Sequence, residues 1–142
     1  MKLTFLSGPS FAKEMVANHP ISVVVAANKI EEAKFVQNLL SSSKFRIYSS
    51  DDVIGVELGG AIKNPIAIGA GIFQGLGYGM STVAALVVRG CRETRLVCRA
   101  MGGKPETCVG LTGVGDLMLT CFSSLSRNNR CGKGIAEGKS LD

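Results

Sequence analysis

Histidine is nearly absent from this chain of 142 residues, which contains only His19, directly before Pro20. A single imidazole excludes His-rich zinc sites. Its place beside a proline turn argues against a Ser-His-Asp triad and predicts a surface turn residue. The five cysteines include no C-x-x-C pair, and their number is odd. These features favour reduced thiols in a cytosol-like compartment, and no metal site is predicted.

Charged residues are missing from one long stretch, because 25 uncharged positions, residues 64–88, separate Lys63 from Arg89. About 20 apolar residues are enough to cross a bilayer. Here five glycines, Pro65 and the polar residue Gln74 interrupt the run, and a GLGYG turn divides it into two shorter pieces. We therefore predict two buried helices and no membrane span.

The charge that is present is mostly positive, with a formal net charge of +5 and a sequence pI of about 9.1. Phosphates, nucleic acids and acidic membrane surfaces are therefore candidate partners. The clearest basic stripe has no aromatic residues between its members, so we expect a solvated helix flank and no nucleic-acid binding. This stripe consists of Arg89, Arg92, Arg95 and Arg99.

Local patterns divide the chain into a strand–helix–strand region and a helical region. Alternation and β-branched residues predict strands at 2–7, Ile21–Ala26 and 45–49. Helices are predicted at 12–17 and 31–40, with Ser10 placed to cap the first. Beyond residue 52 the sequence predicts helices, first over Val53–Gly75 and then over 82–101, where a Gly-Gly-Lys-Pro sequence follows.

The helix predicted at 82–101 carries a seam at heptad spacing, which we expect to be buried: Val87, Cys91, Thr94, Cys98 and Met101. Three strands are too few to bury both faces of a typical sheet. We therefore expect an α/β fragment followed by an all-α region, as a piece of a larger protein that continues at both ends.

Lys63 is the residue most open to a chemical interpretation, because it stands alone in the most apolar part of the chain. Its helical neighbours would be Gly59, Gly60 and Ala67, which leave a shelf that a ligand or another backbone can approach. A partly buried lysine with few carboxylates nearby in sequence suits proton transfer. The pattern fits equally a lysine whose stem merely covers apolar surface. Pro65 predicts a kink or break close to this lysine.

Two further segments are candidates for binding an anion. Residues 110–121, GLTGVGDLMLTC, contain one acid expected to be buried, Asp116, but lack the P-loop and dinucleotide signatures, so a turn is the expected structure. Ser126, Arg127 and Asn128 lie where a helix begins. A serine cap, free backbone N–H groups and an arginine make a natural anion site. An ordinary capped surface helix has the same pattern.

Several of these stretches, taken together, closely resemble the NAD(P)-dependent glycerol-3-phosphate dehydrogenases. They are LSGPSFAKE, FRIYSSDDVIGVELGGAIKN, GLGYG, GLTGVGDLMLTC and SRN, in order and at family-like spacing. The resemblance implies that residues 1–50 are the C-terminal part of a Rossmann-like dinucleotide-binding domain. Residues 51–142 would be the N-terminal part of a helical substrate domain. The nucleotide fingerprint would lie upstream, so we expect the chain alone to be inactive.

The resemblance also implies roles for individual residues. Lys63 matches the lysine that exchanges a proton with the C2 oxygen of the substrate while hydride moves to or from C2. Cofactor contacts are implied for Ala12 and Arg127. Pro65 and the Met80-Ser81 pair depart from the family pattern. Substrate contacts are implied for Gly8, Ser10, Lys63, Asn64, Asp116, Thr120, Ser126, Arg127 and Asn128.

The implied reaction interconverts dihydroxyacetone phosphate and sn-glycerol 3-phosphate, a glycerophospholipid precursor, with NAD or NADP as the cofactor. A cytoplasmic location is expected, while a plastid or another organelle, the choice of cofactor and assembly as a homodimer stay open. Two alternatives to an enzyme segment come from other classes. One is a non-catalytic phosphate-binding or scaffold domain, and the other is a basic nucleic-acid-binding module.

Overall fold

A three-stranded sheet lies in the first part of the chain in the computed structural model, which describes residues 3–140. The strands β1 (Phe5–Ser7), β2 (Ile21–Ala26) and β3 (Phe45–Ser50) lie in this order, with β2 antiparallel to β1 and parallel to β3. All three predicted strands are confirmed. The first is shorter than predicted, since residues 3 and 4 lie outside it and residue 2 lies outside the described residues.

The core of this first region follows from the alternation of β2. Ile21, Val23 and Val25 are buried and pack with Ala33 and Ile47, which come from helix α2 (Ile30–Leu40) and from β3. Side chains two apart in a strand share a face, so the β-branched residues of β2 meet the helix together. The predicted strand and helix are therefore confirmed, and the helix begins one residue earlier.

The short helix α1 (Ala12–Val16) begins differently from the prediction. Its N-cap is Phe11, and no side chain caps it. The Ser10 hydroxyl instead donates a hydrogen bond to the carbonyl of Gly8, two residues earlier, at 3.1 Å. The prediction that Ser10 caps α1 is therefore wrong, because serine hydroxyls also close tight turns on their own backbone. His19 is exposed, as predicted.

The long helix α3 (Val53–Gly75) begins at Asp52, whose buried carboxylate anchors two segments. One oxygen accepts from the backbone N–H of Gly55, and the other from that of Lys104, each at 2.9 Å. Burial opposes ionisation of Asp52, but hydrogen bonds from the Thr107 side chain and from these two backbone groups outweigh it and lower its pKa. The start of α3 is thereby tied to the segment that follows the next helix.

Pro65 lies inside α3, and the helix is unbroken there, so the predicted break does not occur. Proline removes one helical hydrogen bond, which leaves the carbonyl four residues earlier, at Ala61, without its usual donor. Both Pro65 and Ala61 are exposed. Water can therefore satisfy this carbonyl, and the buried side of the helix is not disturbed.

The second long helix, α4 (Met80–Ala100), confirms most of the predicted seam. Val87, Thr94 and Cys98 are buried, and Cys91 is half-buried. Met101 was expected on the same seam but is 58% exposed, because the helix ends at Ala100 and Met101 is its C-cap. All members of the basic stripe are exposed, as predicted. Among residues 3–140, no helix is long and apolar enough to cross a membrane.

The glycine-rich segment after α4 is helical rather than a simple turn. It forms a short 3-10 turn (Thr107–Val109) and a π-helical turn (Leu111–Gly115), followed by helix α5 (Asp116–Phe122). A Cβ placed on Gly59 of α3 would lie 2.3 Å from the carbonyl oxygen of Thr112. The small-residue shelf beside Lys63 therefore receives another stretch of backbone, which was one of the two outcomes expected from the sequence.

The last helix, α6 (Arg127–Ala136), packs on α3 through backbone-to-backbone contact. A Cβ on Gly132 would lie 2.0 Å from the carbonyl oxygen of Ile68, and a Cβ on Gly71 would lie 2.1 Å from that of Asn129. Real Cβ atoms do not approach oxygen this closely, so both positions require glycine. The two helices consequently lie closer together than side chains would allow.

Candidate active site

A cleft of about 390 Å³ lies where the turn after β1 meets α3, α5 and the start of α6. Every residue for which the sequence implied a substrate contact lines this cleft, although these residues come from four separate segments. They are Gly8, Ser10, Lys63, Asn64, Asp116, Thr120, Ser126, Arg127 and Asn128.

Lys63 lies in the middle of α3, and its ammonium pairs with the Oδ2 atom of Asp116, the first residue of α5. The lysine side chain is 22% exposed, whereas the side chain of Asp116 is 5% exposed. Few carboxylates lie near this lysine in the sequence, but the fold brings one to it from 53 positions away. Asp116 thus fixes the direction in which the ammonium points.

Asp116 is held in turn by Thr120, one turn later in α5. The Thr120 hydroxyl donates to the Asp116 carbonyl at 2.6 Å and lies 3.4 Å from its Oδ1 atom. Both residues are buried. The acid therefore has little freedom to leave the lysine.

The stem of Lys63 has a second environment behind the cleft. It lines a small cavity of about 10 Å³ together with Cys91, Thr94 and Cys108 from the α4 side of the molecule. Lys63 therefore lines buried surface, as one interpretation from the sequence expected, while its ammonium pairs with Asp116 at the cleft. The proton-transfer interpretation stays a prediction. A stem packed in this way holds the charged end in place.

The buried thiols near this region are poor nucleophiles. Burial raises the pKa of Cys121 to about 12 and also raises the pKa of Cys91. Burial and the neighbouring thiol of Cys98 together raise the pKa of Cys108 to about 12. Because the thiolate is the reactive form, these three thiols do not supply a nucleophile at neutral pH. All five cysteines carry free thiols.

The start of α6 forms the opposite wall of the cleft. Ser126 is its N-cap, as predicted, and its hydroxyl accepts from the backbone N–H of Asn129 at 3.2 Å. The Asn128 side-chain amide donates to Asn64 Oδ1 at 2.8 Å, which connects α6 to the residue next to Lys63. Arg127 is exposed and, within residues 3–140, has no ion-pair partner.

The charges of the cleft favour an anion. The Lys63 ammonium is balanced by Asp116, so the guanidinium of Arg127 and the helix start beside it leave an excess of positive charge. A phosphate suits this wall, because arginine and free backbone N–H groups both donate to its oxygens. Across the described part of the chain, no group of three or more His, Cys, Asp or Glu side chains could hold a metal ion.

Some residues that line the cleft were not predicted from the sequence, and one residue predicted to contact the cofactor lies outside the cleft. Ala12, expected to contact the cofactor, is exposed at the first position of α1 and does not line the cleft. The strand–turn sequence LSGPSF could have indicated the missed residues that flank Gly8 and Ser10. The lining residues that the sequence analysis missed are Leu6, Ser7, Phe11, Leu119 and Leu125.

Comparison with protein families places this site in a known context. A family model described as NAD-dependent glycerol-3-phosphate dehydrogenase C-terminus matches residues 52–142. The chain belongs to this family. This match confirms the resemblance recognised from the sequence.

Individual relatives agree with this assignment. The chain is 53% identical over 137 residues to the glycerol-3-phosphate dehydrogenase [NAD(P)+] of Bacillus pumilus, covering 96% of this chain and 40% of that protein. It is 49% identical over 140 residues to the enzyme of the same name from Clostridium botulinum, with 99% and 42% covered. The chain therefore spans about two fifths of the length of these curated relatives.

A solved structure shows the same fold. The crystal structure of glycerol-3-phosphate dehydrogenase from Coxiella burnetii superimposes with a TM-score of 0.93 at 44% identity, over 96% of this chain and 42% of that one. The predicted combination of a small sheet followed by helices is thus confirmed as part of this family's architecture.

Proposed function

We propose that this chain is the segment of a glycerol-3-phosphate dehydrogenase that carries the proton-transfer and phosphate-binding residues. In this proposal residues 1–50 complete a dinucleotide-binding domain, and residues 51–142 begin the helical substrate domain. The complete enzyme would interconvert dihydroxyacetone phosphate and sn-glycerol 3-phosphate in the cytoplasm with NAD or NADP. Family membership and the names of the relatives support the reaction.

One observation carries the proposal: a partly buried lysine–carboxylate pair and an arginine at a helix start face the same cleft. A ketone reduction at C2 needs a proton donor for the oxygen, and the phosphate carried on C3 needs a fixed anion site. The cleft contains both the proton donor and the anion site, and its volume of about 390 Å³ lies in the lower part of the range for small-molecule sites.

The mechanism assigns a separate task to each wall of the cleft. When bound, the nicotinamide supplies the hydride to C2 in the reducing direction. Lys63 donates a proton to the C2 oxygen, so that the ketone becomes an alcohol, and it takes the proton back in the oxidising direction. Asp116 directs the ammonium toward that oxygen, and Thr120 holds Asp116 in place.

The start of α6 holds the other end of the substrate. Arg127 and the free backbone N–H groups beside Ser126 donate to the phosphate. The hydrogen bond from Asn128 to Asn64 lies in the cleft wall between the phosphate-binding residues and Lys63. Arg127, exposed and without an ion-pair partner in the described residues, also fits a contact with the anionic cofactor. Holding the phosphate fixes the distance between C2 and Lys63.

The experiment that tests the function measures oxidation of NADH and of NADPH by the complete enzyme in the presence of dihydroxyacetone phosphate. Turnover with one or both cofactors is the expected result. The 142-residue chain alone should show none, because the family places the dinucleotide fingerprint outside it. Turnover by the chain alone would refute the proposed division between domains, and no turnover by the complete enzyme would refute the function.

Arg127→Ala in the complete enzyme should raise KM for dihydroxyacetone phosphate by about 10- to 100-fold, because a charge-assisted hydrogen bond is lost. The value of kcat should fall much less, since the proton donor is unchanged. Arg130→Ala is the matched control: Arg130 is exposed one turn along the same helix and donates to the Ser124 carbonyl at 3.4 Å. Equal effects of the two substitutions would contradict a specific phosphate contact.

A further inference from the structure

A bridge of two side-chain amides, buried at Asn129 and half-buried at Gln74, lies behind the anion-binding wall of the cleft. Asn129, the third residue of α6, is 1% exposed, and its amide donates to the Cys121 carbonyl at 2.8 Å and to Gln74 Oε1 at 3.1 Å. The amide of Gln74, near the end of α3, donates to the same carbonyl at 3.3 Å. The bridge therefore joins α3, the end of α5 and the start of α6, and neither amide lines the cleft.

The packing around this bridge explains what it adds. Gly71 and Gly132 let the backbones of α3 and α6 touch, so they set the distance between the two helices. Hydrogen bonds are directional, and here they join Asn129 to Gln74, which lies one turn beyond Gly71. The bridge therefore adds directional contacts to the glycine contacts and holds the start of α6 in register with α3.

We propose that Gln74 and Asn129 are positioning residues that set where the start of α6 stands against α3. The proposal rests on the proposed function, because the start of α6 carries Arg127 and Asn128 into the cleft. A shift along α3 would move the guanidinium away from the phosphate and would strain the Asn128–Asn64 bond. Lys63 and Asp116 lie elsewhere on α3 and α5 and would keep their pairing.

The test substitutions are chosen to remove the side-chain amide groups that donate and accept the hydrogen bonds of the bridge. Asn129→Leu removes both bonds that Asn129 donates, and Gln74→Met removes one donor and one acceptor while keeping a similar length.

In the complete enzyme, Asn129→Leu and Gln74→Met should each raise KM for dihydroxyacetone phosphate about tenfold and change kcat less than about threefold. In an Arg127→Ala background, Asn129→Leu should raise KM less than about twofold, because the group that the bridge positions is already gone.

A control variant in the core of the sheet distinguishes a general loss of stability from the loss of the positioning role. Ile47→Val removes a buried methyl group in β3, away from the residues that line the cleft, and it should lower the Tm while leaving KM unchanged. If Asn129→Leu and Gln74→Met lower the Tm as Ile47→Val does and leave KM within twofold of wild type, the positioning role is refuted.

Binding of inorganic phosphate, measured by titration calorimetry, tests the same inference without turnover. The Kd for phosphate should rise about tenfold in Asn129→Leu, as KM does. An unchanged Kd overturns the positioning role even if the enzyme is active. An enzyme that binds phosphate through this bridge but does not reduce dihydroxyacetone phosphate would refute the proposed reaction and leave the bridge supported.

Discussion

Replacing Lys63 by methionine in the complete enzyme is expected to lower kcat by about 10³-fold, within the range that positioned acid–base groups contribute. Methionine keeps the stem against the small cavity behind the cleft but removes the proton donor for the C2 oxygen. The Kd for the cofactor should change little, because the ammonium points to Asp116 and the cleft interior. Steady-state kinetics and a cofactor titration measure the two effects.

This substitution also leaves the Asp116 carboxylate buried without its partner, which lowers stability as well as activity. The double variant Lys63→Met with Asp116→Asn removes the unpaired charge, so it should recover most of the lost Tm and none of the lost kcat. Recovery of activity along with stability would show that Lys63 acts through folding alone. A kcat within about threefold of wild type in Lys63→Met would remove the residue from proton transfer.

Gly132→Ala is expected to destabilise the protein by about 3 kcal/mol, at the upper end for overpacked sites. The added methyl group would lie 2.0 Å from the carbonyl oxygen of Ile68 and 2.9 Å from the backbone nitrogen of Ile72. Backbone atoms in the middle of a helix cannot rotate away as a flexible side chain can. The helices α3 and α6 would have to separate, which also opens the wall that carries Arg127.

The matched control lies two residues further along α6. A Cβ on Gly134 would meet only the Lys139 side chain at 3.7 Å, an ordinary contact. Gly134→Ala should therefore stabilise the helix by up to about 1 kcal/mol through its higher helix propensity. Denaturant unfolding of both variants gives the comparison, and a Gly132→Ala protein as stable as Gly134→Ala would contradict the close helix contact.

Secondary structure was predicted well wherever the signal is local. The β-branched run Ile21–Ala26 and the apolar run Val53–Gly75 have the predicted bounds, because both patterns extend over their whole element. Errors occur at element ends, where competing local interactions decide. Ser10 bonds to the Gly8 carbonyl instead of capping α1, and Met101 lies one residue past the end of α4.

The residues of the candidate site were likewise predicted where the signal is local and missed where it is not. The sequence singled out Lys63, Asp116 and the segment 126–128 from local context, and the family resemblance added the other predicted contacts. Five further lining residues were not predicted. No local pattern could pair Lys63 with Asp116 across 53 positions, or Gln74 with Asn129 across 55. These contacts depend on how α3, α5 and α6 pack against one another. Gly59, Gly71 and Gly132 permit that packing, but it cannot be predicted from the presence of glycines in a single sequence.

The neutrality of the amide contacts has a consequence for how the cleft responds to ionic strength. Asn128–Asn64 and Asn129–Gln74 are bonds between uncharged side chains, so dissolved ions do not weaken them by screening. The attraction between exposed Arg127 and a phosphate is ionic and is screened over a Debye length of about 8 Å at physiological salt. Salt therefore weakens the hold on the ligand while the walls that form its binding place keep their shape.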